Sequence, residues 1–205
     1  MEGQTKADQT SEPKLALPGA GISKLEMLFL NQVVKPFVMK RMDLKKALLK
    51  LSEGRDKVSE LIHAFKQEDL TKRVLIKRPY FVEDSSRYWS AAMLCNHLGK
   101  VNGALAKAIE SGFTATFGPD FVPEDRLRAV KPDPEKNDIR EIEKFLQTVE
   151  RIRAASERES EESLGGRLIP HPWFGDLTHL QWIWFAGFHM QVHARQLKQI
   201  VIGLP

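Results

Sequence analysis

The chain has 205 residues, 42% of them apolar and 28% charged, which is enough for one domain with its own core and short additions. Its formal charge is only +4, with basic and acidic residues interspersed, so the basic, aromatic-interleaved stretches that track nucleic acid are missing. Cys95 is the single cysteine, which excludes an internal disulfide or a cysteine-rich zinc site and fits a reducing compartment.

In chain order, residues 1–23 are rich in Gly, Ser, Pro and charge without apolar periodicity and read as a flexible tail. They lack the basic-then-apolar order of a secretory signal. Met27 to Met39 is short and interrupted by Asn31, Gln32, Lys35 and Pro36, so it does not read as a membrane span; a cytoplasmic protein is expected. A helix is expected over 24–41, kinked or ended near Pro36, lying outside the main bundle or against a second copy in a homodimer. Residues 24–205 would then form one helical domain.

From Asp43 to about Lys66, Leu44, Ala47, Leu48, Leu51, Val58, Leu61, Ile62 and Phe65 recur at helical spacing, with Gly54 a weak point in the middle. Val74 to Asp84, containing Pro79, reads as an extended crossing. A second long helix is expected from Ser90 to Ser111, stopped by Gly112. Five glycines and prolines (Gly118, Pro119, Pro123, Pro132 and Pro134) make 113–136 a long loop of the kind that often covers a site. A third helix is expected over 137–162, ended by Gly165-Gly166, and His171-Pro172-Trp173-Phe174-Gly175 reads as a turn. Thr178 and Gln181 have capping-box spacing and start a last helix running to about Ile202. No strand alternation supports a sheet. The pattern is all-α: four long helices with a long crossing connection and an extra N-terminal helix.

The last helix carries His189 and His193 four residues apart, hence on one face and one turn from each other. Trp182, Phe185, Ala186, Gln196 and Ile200 lie near that face, which argues that the imidazoles point inward. His97 falls in the apolar stripe of the second helix, with Leu94, Leu98, Val101, Ala104, Leu105 and Ala108. Spacing alone leaves two readings open: hydrogen-bonded core histidines, or three neutral imidazoles around one divalent cation. His171 reads as a structural turn residue or a pocket rim, Gln196 as a hydrogen-bond partner behind His193 or a plain interior amide. Trp89 and Trp182 read as core anchors that could also line a pocket. His179 and His63 are expected in solvent. Cys95, two residues before His97, points away from it and reads as buried filler.

The tracts Trp89-Ser90-Ala91-Ala92-Met93-Leu94-Cys95-Asn96-His97-Leu98 and His171-Pro172-Trp173-Phe174-Gly175, with the closing His189-x-x-x-His193-x-x-Gln196, resemble the DinB/YfiT-like superfamily. The resemblance spans about residues 43–202 and is closest to a poorly characterised branch with a His-Pro-aromatic-Phe-Gly turn. It gives residues 1–42 and 113–136 no counterpart. It implies a four-helix bundle with His97, His189 and His193 as ligands of one divalent metal ion; an all-imidazole donor set suits zinc, nickel or iron, with copper also open. It also implies metal-dependent transfer or isomerisation that uses a low-molecular-weight thiol as partner. Two other readings stand beside it: a non-catalytic metal-binding or stress-response bundle, and a metal-dependent hydrolase. The hydrolase would want a carboxylate near the metal, and neither histidine-bearing stripe offers one.

Overall fold

A computed structural model describes residues 13–38, 42–115 and 123–204. Among these, four long helices form the bundle: α3 (Leu44–Ile62), α4 (Ala91–Ser111), α6 (Arg140–Ser156) and α8 (His179–Gly203). They follow α1 (Lys24–Phe29) and α2 (Lys35–Val38), and are interspersed with the short helices α5 (Pro123–Ala129) and α7 (Glu161–Gly166). The α3 and α8 helices pack along each other, as do α4 and α6, with α4 also on α8 and α3 on α6. That arrangement puts α3 and α4 on a diagonal. The segment between them has to cross the bundle, as the sequence suggested.

Caps set the helix ends where the sequence marked them. Asp43 accepts from the Lys46 N–H, Ser90 from Met93, and Thr178 and Gln181 exchange both bonds of a capping box. Gly112 closes α4 at φ 63°, a left-handed conformation that costs glycine little. Other expectations need correction. The third helix is shorter than 137–162: it stops at Ser156, and Ser160 caps a separate turn, α7, whose end contains Gly165-Gly166. Among its described residues the loop 113–136 contains α5 and a 3-10 turn at Pro134–Lys136. The α3 helix ends at Ile62, not near Lys66.

Two small antiparallel ladders also form where no sheet was expected. One pairs β1 (Val74–Leu75) with β2 (Tyr88–Trp89). The other pairs β3 (Leu168–His171) with β4 (Gly175–Thr178), His171 opposite Gly175. Strands of this length carry too few residues for alternation to be visible in sequence. The second hairpin is the His-Pro-Trp-Phe-Gly tract, and Gly175 supplies its positive φ of 73°.

The N-terminal helical segment continues past Pro36 to Val38, and residues 39–41 of the expected helix lie outside the described residues. A wider, π-helical stretch from Leu30 to Val34 precedes α2, and such a turn accommodates a ring with no N–H to donate. Leu30 is buried, while Leu25, Leu28, Phe29 and Val33 stay exposed. Asn31 donates to the Trp173 carbonyl, 3.1 Å away, and Lys35 to that of Phe174, so this segment packs on the bundle against the hairpin. Residues 1–12 of the expected tail lie outside the described residues. Its later part makes contacts: Ala16 N–H donates to Asp84, and those of Gly19 and Gly21 to Glu83.

Gly54 is the position at which α3 and α8 touch. A Cβ on Gly54 would sit 2.5 Å from the Gly187 carbonyl oxygen, and one on Gly187 only 2.2 Å from that of Lys50. Both obstacles are backbone, so a methyl group can be fitted only by moving a helix. Gly187→Ala gains about 1 kcal/mol of helix propensity but is expected to lose more to overpacking. A net destabilisation of about 1–3 kcal/mol should appear as a lower denaturation midpoint in urea.

Candidate metal centre

The α4 helix brings His97, and α8 brings His189 and His193, to one point at the wall of a cavity of about 460 Å³. Their ligand-capable nitrogens all lie within 4.8 Å of one another. The Nε2 of His189 stands 3.0 Å from that of His193 and 3.3 Å from that of His97. Nitrogens bound to zinc at about 2.0–2.1 Å in a tetrahedral arrangement stand about 3.3 Å apart, so the cluster has the span of a single-ion site.

The far side of each ring decides what the near side can do. The Nδ1 of His97 lies 2.7 Å from the Val130 carbonyl oxygen. A carbonyl only accepts, so Nδ1 carries the proton and Nε2 keeps its lone pair. His193 is fixed in the same way. Gln196 donates from Nε2 to the Ser86 carbonyl at 2.6 Å, which turns its Oε1 toward His193 Nδ1 at 2.7 Å. His193 therefore donates from Nδ1 and presents a lone pair at Nε2. His189 has no partner for its buried Nδ1 among the described residues, so it lacks the outward hydrogen bond usual for a ligand histidine. It can send one proton at most toward two lone pairs. A cation satisfies all three nitrogens at once, and the donor set fits one.

Electrostatics favour the neutral rings that ligation needs. Burial is the main cause of depressed pKa values throughout, pushing His97 and His189 well below the usual imidazole value, with their histidine neighbours adding to the effect. Burial holds His193 at about 4, against the opposing effect of its hydrogen bond to Gln196. Trp89 closes the back of the cluster, its ring 5.3 Å from that of His97 and 6.1 Å from that of His193.

The remaining expected residues fall as follows. Gln196 is fully buried behind His193. Trp182 lines the cavity and donates from Nε1 to the Ile169 carbonyl. His171 also lines the cavity, its ring packed on those of Phe185, Phe174 and Trp182. It thus holds the turn, by accepting the Trp173 N–H at 3.0 Å, and forms wall as well. Cys95 is buried, and burial raises its pKa, as suits inert filler. His63 is exposed. His179 is a correction: it is fully buried, donating from Nε2 to the Phe113 carbonyl at 2.9 Å. The chain leaving α4 covers the first turn of α8, which periodicity within α8 could not show.

Sequence reasoning missed four contributors. Val130 and Lys131, from the loop expected to cover a site, and Glu83 and Ser86, from the crossing, all line the cavity. Burial would raise the Glu83 pKa, but the Lys131 ammonium at 2.5 Å and the Gly21 and Gly19 amides outweigh it and hold the carboxylate charged. The carboxylate absent from both histidine stripes is therefore present in the cavity, already committed to a cation and to backbone amides. Phe81 lines the cavity at a positive φ of 66°, a strained conformation for a bulky residue. Its N–H donates to Glu26 at 2.8 Å. Burial works to raise the pKa of Glu26, yet hydrogen bonds from Arg78, Phe81 and Ser23 bring it to about 2.

A helical bundle with a buried histidine cluster at a cavity defines a narrow class, and the comparisons give its family. The sequence profile of the DinB superfamily matches residues 50–197; the chain belongs to that superfamily. No curated protein matches it. A solved structure similar in fold is that of the mycothiol-dependent maleylpyruvate isomerase, with a TM-score of 0.52 at 13% identity, covering 77% of this chain. The chain spans 62% of the length of that protein. No described helix is long and apolar enough to cross a membrane.

The buried His171 predicts an acid-sensitive fold. Burial lowers its pKa from 6.5 to about 3, so below pH 6.5 the unfolded chain takes up a proton that the folded chain refuses. Its contribution to stability is complete above about pH 6.5 and is lost as pH falls toward about 3, at about 1.4 kcal/mol per unit. Urea unfolding between pH 6.5 and 5 should show a steeper loss for the native chain than for His171→Phe.

Proposed function

We propose that this protein is a metal-dependent transferase or isomerase in which His97, His189 and His193 hold one divalent cation beside a substrate cavity, and a low-molecular-weight thiol is the activated partner. The observation that carries the reading is the meeting of three imidazole nitrogens, two with their lone pairs fixed by protons on the far side, at a cavity wall. Zinc, nickel and iron all suit imidazole ligands. A cation held by three protein donors supplies Lewis acidity at an open position, where it favours the deprotonated form of a thiol.

The chain's own groups do the rest. Val130 and Gln196 hold the ligand rings in one tautomer, so no proton needs to leave them when the cation binds. Phe81, Trp173, Trp182 and Phe185 wall the cavity, excluding water that would compete with a thiol for the electrophile. No nucleophilic side chain is required. That suits a site whose nearest cysteine is buried filler. The open cavity argues against a purely metal-storing bundle. The commitment of Glu83 to Lys131, Gly19, Gly21 and Ser85 argues against a hydrolase that needs a free carboxylate base. A cytoplasmic, reducing setting belongs to the same proposal.

Elemental analysis of the purified protein should find about one equivalent of zinc, nickel or iron per chain, absent from the His189→Ala, His193→Ala double variant. A folded native chain that takes up no metal under any loading condition would overturn the reading. Gln196→Leu removes the partner of His193 Nδ1 and should weaken metal affinity by about 10–100-fold, measured by competition with a chromogenic chelator. The metal-loaded protein should turn over electrophiles with at least one of bacillithiol, mycothiol, glutathione or coenzyme A; turnover with none of them would remove the thiol from the proposal.

A further inference from the structure

Lys131 is a buried amine in the cavity that the proposed chemistry does not use. Its side chain is 16% exposed, and it lines the same cavity as the three histidines. Its ammonium has three protons to place. One goes to Glu83 at 2.5 Å and one to the Ser86 hydroxyl at 2.8 Å. The third has no oxygen acceptor among the described residues; the Trp89 ring faces the charge from 5.4 Å. Glu83 is supplied differently. Besides Lys131 it accepts from the Gly21 and Gly19 amides and the Ser85 hydroxyl. The carboxylate is thus rich in donors while the ammonium is short of acceptors. The local balance beside the cluster favours one more anionic oxygen, coming from the cavity.

The walls specify the rest of such a ligand. Phe81, Trp182 and Phe185 offer flat apolar surface. The hydrogen bond that keeps Lys131 near the cluster runs through Ser86, whose carbonyl also anchors Gln196 behind His193. The ammonium and the ligand rings are therefore fixed to one short piece of backbone. We propose that Lys131 is the specificity-determining residue of the cavity and that its substrates carry a carboxylate on an apolar or aromatic body. This rests on reading the cavity as a substrate site, and it adds which molecules enter it. The residue comes from the 113–136 connection and not from a bundle helix, so the selectivity belongs to a loop carried on the helical scaffold.

The test compares binding of 3-phenylpropionate with that of its neutral amide by isothermal titration calorimetry, on the full chain as purified and again after chelation. The acid should bind roughly tenfold or more tightly than the amide. Lys131→Met should bring that ratio near one, and Lys131→Arg should retain it. Glu83→Gln, which leaves the ammonium without its carboxylate, should raise the ratio. Opposite changes from the two partners of one ion pair are not what a structural role produces. Because Lys131→Met strands a buried carboxylate, the Glu83→Gln, Lys131→Met double variant serves as a charge-balanced control and should also show a ratio near one. A preference unchanged in the Lys131 variants, or no binding of either compound at millimolar concentration, overturns the proposal. A preference that survives Lys131→Met and vanishes on chelation places the anion on the metal, overturning this proposal and leaving the metal reading intact. A Lys131-dependent preference in a protein that holds no metal does the reverse.

Discussion

Two hydrogen bonds on the outer edges of the cluster control what happens at its centre. The Val130 carbonyl and the Gln196 side-chain oxygen each accept a hydrogen bond from a histidine Nδ1–H, and each thereby leaves the inward nitrogen with its lone pair. Without them the rings could pair by donating to one another, and the cluster would be an ordinary buried polar network. With them, at most one of the inward nitrogens carries a proton. Burial then keeps the rings from relieving the conflict by taking up protons from water. The inward lone pairs of His97 and His193 are set by hydrogen bonds on the far edges of their rings.

Those outer groups depend on the less regular parts of the chain. Val130 follows α5 in the proline-rich connection, and Gln196 is held by Ser86 in the crossing between α3 and α4. The same two segments supply the Glu83–Lys131 pair. The N-terminal segment touches the cavity walls from outside, through Glu26 to Phe81, through Asn31 to the hairpin, and through Gly19 and Gly21 to Glu83. The bundle thus provides the histidines and apolar wall from α4 and α8, while the connections help to fix the tautomers and add the Glu83–Lys131 pair to the pocket. This division is common where a rigid scaffold carries loops that bear specificity.

The rigidity behind the histidines has a visible source. The α8 helix carries two of them on the face toward α4, and on another face it meets α3 at Gly54 and Gly187, backbone nearly against backbone. A contact with so little slack fixes α8 in rotation and depth. The angle at which His189 and His193 reach toward His97 is fixed with it.

The sequence alone marked the four long helices, a crossing connection, helix starts at Asp43 and Ser90, the capping box at Thr178, and the three histidines that the fold brings together. These are readable because they rest on local rules: helical periodicity, capping chemistry and the four-residue spacing that puts two side chains on one face. Gly54 shows where such rules stop, since a residue that weakens an isolated helix turns out to permit a helix crossing. His179 was expected in solvent because α8 could be read only from its own residues; the chain leaving α4 buries it. Glu83, Ser86, Val130 and Lys131 had no local mark at all. Their roles depend on which carbonyl meets which ring across separations such as the 33 residues from His97 to Val130, and such meetings exist only once the chain has closed on itself.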